Sequence, residues 1–535
     1  MNVTNLNTLQ KMGVAAVCGL LAAAPLCARA LLTADYREML LRYHAAGSAN
    51  PALLTGYDWG RVSYLEAAGA FRTGALRNYY EADKAVKLDI ATASYWQLSD
   101  RLTLGGGLSY GFDKGEHMTG SAFMNPEYVP FDLVEMADST AGTKRREWYV
   151  LRGEVGYRLA ERVSLGARMV FRTGNYAKFK DLRHQNTLMD MQVSLGASYK
   201  LWERLTLGLS YTYGRNVETL YFKTYGNTDR QYATLVSFGG FWGRSELFGE
   251  SGYTADARPL FTRSHGGAVQ MVYCGDTFRW LGELGYTAHS GRFGNNASAS
   301  ITYSTHTGSD WHLRSKLVWE PVRLTHILEA TVGLRSLENF ENAYKESTDE
   351  SGVSQIIYYG SNRVGEKEWL QAGLFYRLSA PGKWGKPAWQ FSVAAVYSGR
   401  NLTASQYPFY RKQEVHAASL TLQGGRNWFK GRNIYSLETG LSASSGWGNP
   451  VTDGCYVPVS DTQKQPAARK DLLQLEYDYL TAFRAGPRFS AGYERNIQPG
   501  LWVYTQVGVA YERAFGKTFA GDGCTVVRLT AGVRF

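Results

Sequence analysis

From about residue 59 to the last residue, apolar and polar side chains alternate with a period of two. That is the repeat of a strand whose two faces meet different surroundings. Over 85–98 one face carries Val86, Leu88, Ile90, Thr92, Ser94, Trp96 and Leu98; the other carries Lys87, Asp89, Ala91, Ala93, Tyr95 and Gln97. Over 101–112 Leu102, Leu104, Gly106, Leu108, Tyr110 and Phe112 oppose Arg101, Thr103, Gly105, Gly107, Ser109 and Gly111. The pattern recurs over 189–202, 205–213 and 311–320. Runs of about ten residues or more are long for ordinary strands and suit a tilted membrane crossing. Tyr110, Phe112, Trp202, Tyr211, Tyr213 and Trp319 gather at run ends, as two interfacial girdles would. The pattern predicts an all-β, closed antiparallel transmembrane barrel of 18 to 20 strands, within a range of 14–20.

The connections alternate as well. Short turns fall at Ser99-Asp100, Ala160-Glu161-Arg162, Trp202-Glu203-Arg204, Glu320-Pro321-Val322, Lys430-Gly431-Arg432 and Ile497-Gln498-Pro499-Gly500. Long polar stretches lie between them at 113–145, 175–187, 337–364, 401–412 and 446–470. Short turns on the periplasmic side and long loops outside are the asymmetry of an outer-membrane barrel. The stretch 243–262 is too long for a clean periplasmic turn, so the register there can slip by one hairpin.

Both ends carry targeting signals. Lys11, an apolar run over 14–28 and Ala28-Arg29-Ala30 form the three parts of a secretory signal peptide, cleaved after Ala30. The run is too short for a comfortable membrane anchor. Leu26 before Cys27 disfavours a lipoprotein, whose cleavage prefers a small residue there. The expected division is a signal peptide over 1–30, an N-terminal helical, periplasmic or plug segment over 31–58, and a barrel over 59–535. At the C-terminus Val527, Leu529, Ala531, Val533 and Phe535 alternate with Arg528, Thr530, Gly532 and Arg534.

This ending resembles the C-terminal signal of Gram-negative outer-membrane barrels. The resemblance makes Leu529, Val533 and Phe535 an assembly signal read by the barrel-assembly machinery before closure removes the free edge. By architecture over about 59–535, and not by a diagnostic motif, the chain resembles the uncharacterised outer-membrane barrel families of Bacteroidota. A shorter similarity lies in Asn50-Pro51-Ala52, since fatty-acid-transporter-like barrels carry an Asn-Pro-Ala near an N-terminal hatch. A helix over 35–46, ended by Gly47 with Pro51 beyond it, explains the same residues without a transport role, and is preferred.

Composition agrees with a two-faced sheet. Hydrophobic residues are 44% of 535 and aromatics 14%, yet mean hydropathy is −0.30. That excludes a polytopic helical membrane protein and argues against disorder. Removing residues 1–30 takes Lys11 and Arg29 from a net charge of +11, leaving +9. It also leaves Cys274, Cys455 and Cys524; either Cys455 and Cys524 pair or all three are free.

If the apolar face meets lipid, the other face lines the lumen. It would carry the basic residues Arg152, Arg158, Arg168, Arg172, Lys200, Arg314, Lys316, Arg335, Arg377, Arg528 and Arg534, with Glu154, Glu283, Glu320, Glu438 and Glu494. Two readings stay open. A basic lumen favours anionic solutes. Alternatively Arg and Glu pair across strands, fill the barrel and select nothing. The loop stretches could bind a ligand, fold inward as a plug or form variable surface.

No catalytic or metal motif is legible. The nine His form no helical pair, and no CxxC or HExxH occurs. His306 and His312, near Ser304, Ser309 and Asp310 about an expected turn, are a weak hydrolase signal. Gly105-Gly106-Gly107 sits within a strand pattern, not in a phosphate loop. The scattered charges do not suit nucleic acid. The expectation is therefore a cofactor-free, non-enzymatic barrel in the outer membrane of a Gram-negative bacterium. It would be a channel or the barrel component of a transport complex, with outer-membrane lipid around it and a lipoprotein or receptor as partner. The alternatives are a non-conducting surface scaffold and, less favoured, a barrel enzyme.

Overall fold

The computed structural model describes residues 35–225, 231–249, 252–254, 257–295, 300–348, 352, 354–516 and 518–535. The expected signal peptide, with Ala28 and Ala30, lies outside the described residues. The chain begins with helix α1 (Tyr36–Arg42) and a 3-10 turn (Pro51–Gly56). Then follow β1 (Arg61–Gly74), β2 (Lys84–Gln97), β3 (Leu102–Met118), β4 (Asp132–Glu135), β5 (Gly142–Arg158), β6 (Val163–Lys178), β7 (Arg183–Trp202), β8 (Leu205–Lys223), β9 (Ala233–Gly239), β10 (Trp242–Leu247) and β11 (Arg258–Cys274). The remainder is β12 (Phe278–Gly294), β13 (Thr302–Trp319), β14 (Thr325–Thr348), β15 (Ser354–Ala380), β16 (Trp389–Gln406), β17 (Phe409–Lys430), β18 (Asn433–Cys455), β19 (Ala467–Ala468), α2 (Lys470–Thr481), β20 (Arg484–Gln498), β21 (Leu501–Ala514) and β22 (Gly523–Arg534).

Eighteen strands form one closed antiparallel barrel. β1 pairs with β2 on one side and with β22 on the other, so no edge remains. Closure satisfies every strand through its neighbours, which a sheet in lipid requires. β4, β9, β10 and β19 are not wall strands; they form a separate four-stranded sheet in the order β19-β10-β9-β4.

The period-two pattern puts apolar side chains outward. Leu151, Leu195, Leu209, Leu313, Leu374, Leu441 and Leu529 are all exposed on the outer face. Trp311 and Trp319 both point outward on β13. Their eight-residue spacing is about 27 Å along the strand and roughly 20 Å along the axis at a tilt of about 40°, near the height of a bilayer's apolar band. Trp202 and Trp428 are exposed toward the short-turn end, Tyr211, Tyr286 and Tyr511 toward the other.

Several expected loops are strand. Within 175–187, β6 runs to Lys178 and β7 begins at Arg183; within 337–364, β14 runs to Thr348 and β15 begins at Ser354; within 401–412, β16 runs to Gln406 and β17 begins at Phe409. Strand pairing continues past the apolar belt, where outward side chains meet water and the sequence turns polar. Among the described residues the stretch 243–262 holds no extra barrel hairpin. Its first part belongs to the β8–β11 connection, which carries β10 into the small sheet, and its last residues begin wall strand β11. All three cysteines in the described residues are free, so Cys455 and Cys524 do not pair.

Candidate functional site: a lumen occupied from both ends

Residues 35–58 lie against the inner face of the wall. Asp35 caps α1, its carboxylate accepting from the N–H groups of Arg37 and Glu38 at 3.0 and 3.1 Å. The helix ends at Arg42, and Asn50 starts a separate 3-10 turn by accepting the Ala52 N–H at 2.9 Å, with Pro51 at its first position. The helix thus stops four residues short of the expected 35–46, while Gly47 (φ +81°) lies in the turn after it and Pro51 follows. Asn50 Nδ2 donates to the carbonyls of Ala197 (2.9 Å) and Leu209 (3.2 Å) and to Gln270 Oε1 (2.9 Å), so it stitches the turn to three wall strands.

The wall beneath this turn lacks side chains. Gly156 pairs in register with Gly166, and Gly166 with Gly196. A Cβ on Gly166 would lie 2.3 Å from the Pro51 carbonyl carbon, and one on Gly196 would lie 2.0 Å from Asn50 Oδ1. On Gly208 it would lie 2.7 Å from Asn50 Nδ2, and on Gly156 3.0 Å from Leu54. Backbone lies on backbone here, and only glycine permits that approach.

Polar contacts complete the seat. Arg377 donates to Glu38 at 2.8 Å, Arg37 to Glu66 at 2.5 Å, and Arg42 pairs with Glu320. Glu283 accepts from Ser48 Oγ (2.6 Å) and the Ala49 N–H (2.9 Å). Lys316 Nζ donates to the carbonyls of Leu40 and Tyr43, both at 3.1 Å. Met39, Tyr43, Leu53, Leu54 and Tyr57 form an apolar cluster with Val62, Tyr95, Val272 and Leu281 of the wall. Burial, with Arg279 and Lys316 nearby, pushes the His44 imidazole from its ordinary 6.5 down to about 4.

At the long-loop end the small sheet packs against the inner face of the wall. Phe123, Phe131, Leu133, Val236, Phe238 and Trp242 pack with Leu220, Phe222, Leu260, Phe293 and Phe409 of the wall. Wall cations cap carbonyls of the loops around it: Lys144 at Ser121 (2.8 Å), Lys367 at Val129 (2.8 Å) and Arg411 at Gly240 (3.2 Å). Helix α2 adds Leu472 and Leu473 against Val134, Leu235 and Phe241. Beside the loop that carries Tyr128 is a chamber of about 860 Å³, lined among others by Trp148, Arg172, Asp190, His306 and Arg335.

Residues 51–535 match a family of unknown function, DUF6850. The chain belongs to this family. None of the curated proteins matches it in sequence. Among solved structures it is similar to the ferric preacinetobactin receptor BauA of Acinetobacter baumannii, at 8% identity over 88% of this chain and 80% of that one, with a TM-score of 0.39. It is also similar to the iron transporter FrpB of Neisseria meningitidis, at 9% identity, 90% and 83% coverage and a TM-score of 0.39. A third is the outer-membrane transporter YddB of Escherichia coli, at 7% identity, 88% and 81% coverage and a TM-score of 0.38.

In this DUF6850 chain most of the basic residues singled out in the sequence are engaged. Arg152 and Arg168 share Glu154 at 2.9 and 2.7 Å, Arg314 holds Glu329 at 2.9 Å, and Arg534 holds Glu494 at 3.1 Å. Arg168 also donates to the Ser48 carbonyl at 2.7 Å, and Arg158 reaches the Thr55 carbonyl at 3.4 Å. Arg335 grips Asp310 at 2.5 Å. Glu438 accepts from Gln390 and Gln423. Lys200 pairs with Glu203 at the short-turn rim, and Arg172 stands in register opposite Asp190. Arg528 differs: it is exposed between Ala70 and Gly508, and among the described residues it makes no ion pair. Arg488 on β20 is in the same condition and was missed in the sequence, although its alternation with outward Phe489 was the available signal. Ser304, His306, Ser309, Asp310 and His312 lie along one strand, β13, and not around a turn. Leu529 and Val533 face outward, and the Phe535 backbone pairs with Ser63.

Proposed function

We propose that the chain is a transport barrel of the Gram-negative outer membrane in a closed state. Residues 35–58 are its movable plug, and the solute it passes is anionic. The observation that carries this reading is the seat made for the plug. Gly156, Gly166, Gly196 and Gly208 withhold side chains so that a separate piece of chain can lie in the lumen. A permanently filled barrel needs no such seat, because side chains of its own wall fill it. The outward apolar belt between aromatic rows supports a membrane setting. Arg488 and Arg528, exposed inward without carboxylate partners among the described residues, support an anionic solute.

The rival reading is a non-conducting surface scaffold. The loop-made sheet favours it, because its apolar core occupies part of the lumen at the long-loop end. Planar-bilayer recording separates the two. The full chain is expected to be nearly silent, and a chain lacking 35–58 to open with a preference for chloride over potassium. Arg488→Gln with Arg528→Gln should weaken that preference. A folded barrel that stays silent without 35–58 supports the scaffold.

A further inference from the structure

Three arginines converge on one phenyl ring on the outer face of the barrel. The guanidinium carbons of Arg215, Arg263 and Arg292 lie 5.5, 5.6 and 4.9 Å from the centroid of the Phe261 ring. Alternation places all four outward: Arg215 follows Leu209 and Tyr211 on β8, Phe261 and Arg263 precede Val269 and Met271 on β11, and Arg292 follows Leu284 and Tyr286 on β12. Arg263 stands directly opposite Arg215 in register, and Phe261 directly opposite Arg292. Like charges directly opposite one another are destabilising. Yet among the described residues none of the three makes an ion pair, and Arg292 Nε is buried without a hydrogen-bond partner. Glu338, in register beside Thr307 of the neighbouring strand, is already held by Arg363 at 3.0 Å.

The height of the cluster matters. Tyr211, Gly267, Tyr286 and Trp311 form one row in register across β8, β11, β12 and β13. Two register steps toward the long-loop end, the row reads Arg215, Arg263, Ser290 and Thr307. Each step is about 7 Å along a strand, or about 5 Å along the axis. The arginines therefore stand about 10–15 Å beyond the aromatic row, where lipid headgroups replace acyl chains. Ser290 and Thr307 are exposed in the same row and add hydroxyl donors.

We propose that Arg215, Arg263 and Arg292 form a binding site for a phosphorylated glycolipid headgroup of the outer leaflet. This rests on the outer-membrane reading given above. A phosphate offers the bidentate acceptor geometry that guanidinium groups match and supplies the counter-charge the cluster lacks. Phe261 spaces the three cations and holds their planes through cation–π contact. The acyl chains of the same lipid would run down the apolar belt past Tyr211, Tyr286 and Trp311.

The test uses the full chain extracted from membranes in mild detergent, with native mass spectrometry to count retained lipid. The probes are bisphosphorylated lipid A, its dephosphorylated form and inorganic phosphate. The wild type is expected to retain bisphosphorylated lipid A at least about tenfold better than a chain with Arg215→Gln, Arg263→Gln and Arg292→Gln, the equivalent of one charge-assisted hydrogen bond. Dephosphorylated lipid should bind both chains equally weakly, and millimolar inorganic phosphate should not displace the lipid. Heat-modifiable migration of the variant shows that it has folded. Equal retention by wild type and variant, both recovered in the outer-membrane fraction, overturns the site alone. Displacement by millimolar inorganic phosphate assigns the cluster to free anions and overturns the lipid. Recovery outside the outer membrane overturns the reading on which the site rests.

Discussion

Arg377 of β15 donates a 2.8 Å hydrogen bond to Glu38 of α1, joining residues 339 positions apart, and both side chains are buried. Removing one partner of a buried pair strands the other charge, at a cost of about 3–5 kcal/mol. Arg377→Met should therefore loosen the plug while leaving the barrel closed as a sheet. The expected readout is a chain cleaved faster by protease within 35–58 and conducting in planar bilayers. The exchanged pair, Glu38→Arg with Arg377→Glu, should recover part of the protection. Unchanged cleavage in Arg377→Met would show that the pair does not hold the plug.

The glycine floor gives a second, steric test. Valine suits a strand, so Gly166→Val should leave wall pairing intact. Its Cβ would nevertheless lie 2.3 Å from the Pro51 carbonyl carbon and 2.4 Å from the Ala52 nitrogen. Overpacking of this kind costs about 1–3 kcal/mol, or the turn moves away. The expected outcome is a normally heat-modifiable barrel with accelerated cleavage near residues 50–56. Gly153→Val, at a position where a Cβ meets nothing within 4 Å, serves as the control. Equal behaviour of the two variants would remove the floor from the account.

Acid should unseat the plug through His44. Its imidazole is buried in the docked state, Nδ1 has no hydrogen-bond partner among the described residues, and Arg279 and Lys316 oppose a positive charge there. The docked value is about 4 against an ordinary 6.5, so the released segment binds more protons between those limits. Docking is thus fully favoured above pH 6.5 and weakens as pH falls toward 4, by about 2 kcal/mol at pH 5. Conductance recorded from pH 7.5 to 4.5 should rise on the acid side. His44→Asn should flatten that rise; an unaltered profile in the variant would assign it to other groups.

How much of this was legible follows from which interactions are local. Outward leucines and tryptophans repeat every second residue, so the barrel can be read along the chain and its strand number bounded at 18 to 20, of which the structure has 18. The Glu38–Arg377 pair and the Asn50 contacts to Ala197, Leu209 and Gln270 join residues more than a hundred positions apart, and no periodicity encodes them. The inner row of Gly156, Gly166 and Gly196 was visible only as unremarkable strand glycines, because its meaning depends on register between three strands. Helix α2 had a local signal that went unread. Leu472, Leu473 and Glu476 share its buried side at helical spacing.

The seam between the first and last strands carries the final prediction. The Phe535 N–H donates to the Ser63 carbonyl at 3.0 Å, and the Ser63 N–H donates to the Phe535 carbonyl at 2.8 Å. The Arg61 guanidinium lies 5.6 Å from the Phe535 ring. The last residue thus closes the short-turn end of the β1–β22 pairing, beside outward Leu529 and Val533. Deleting Phe535 removes this reciprocal backbone pair and the ring at the interface, leaving the Ser63 N–H and carbonyl on the β22 side of β1 without their backbone partner in a setting where unpaired backbone is costly. The amount of heat-modifiable barrel recovered in the membrane should fall, while secreted, unfolded chain should accumulate. Phe535→Tyr keeps the backbone pair and an interfacial aromatic and should insert normally, whereas Phe535→Ala keeps only the backbone pair. If Phe535→Ala inserts as well as Phe535→Tyr, the ring has no part in assembly and the backbone pair alone seals the seam.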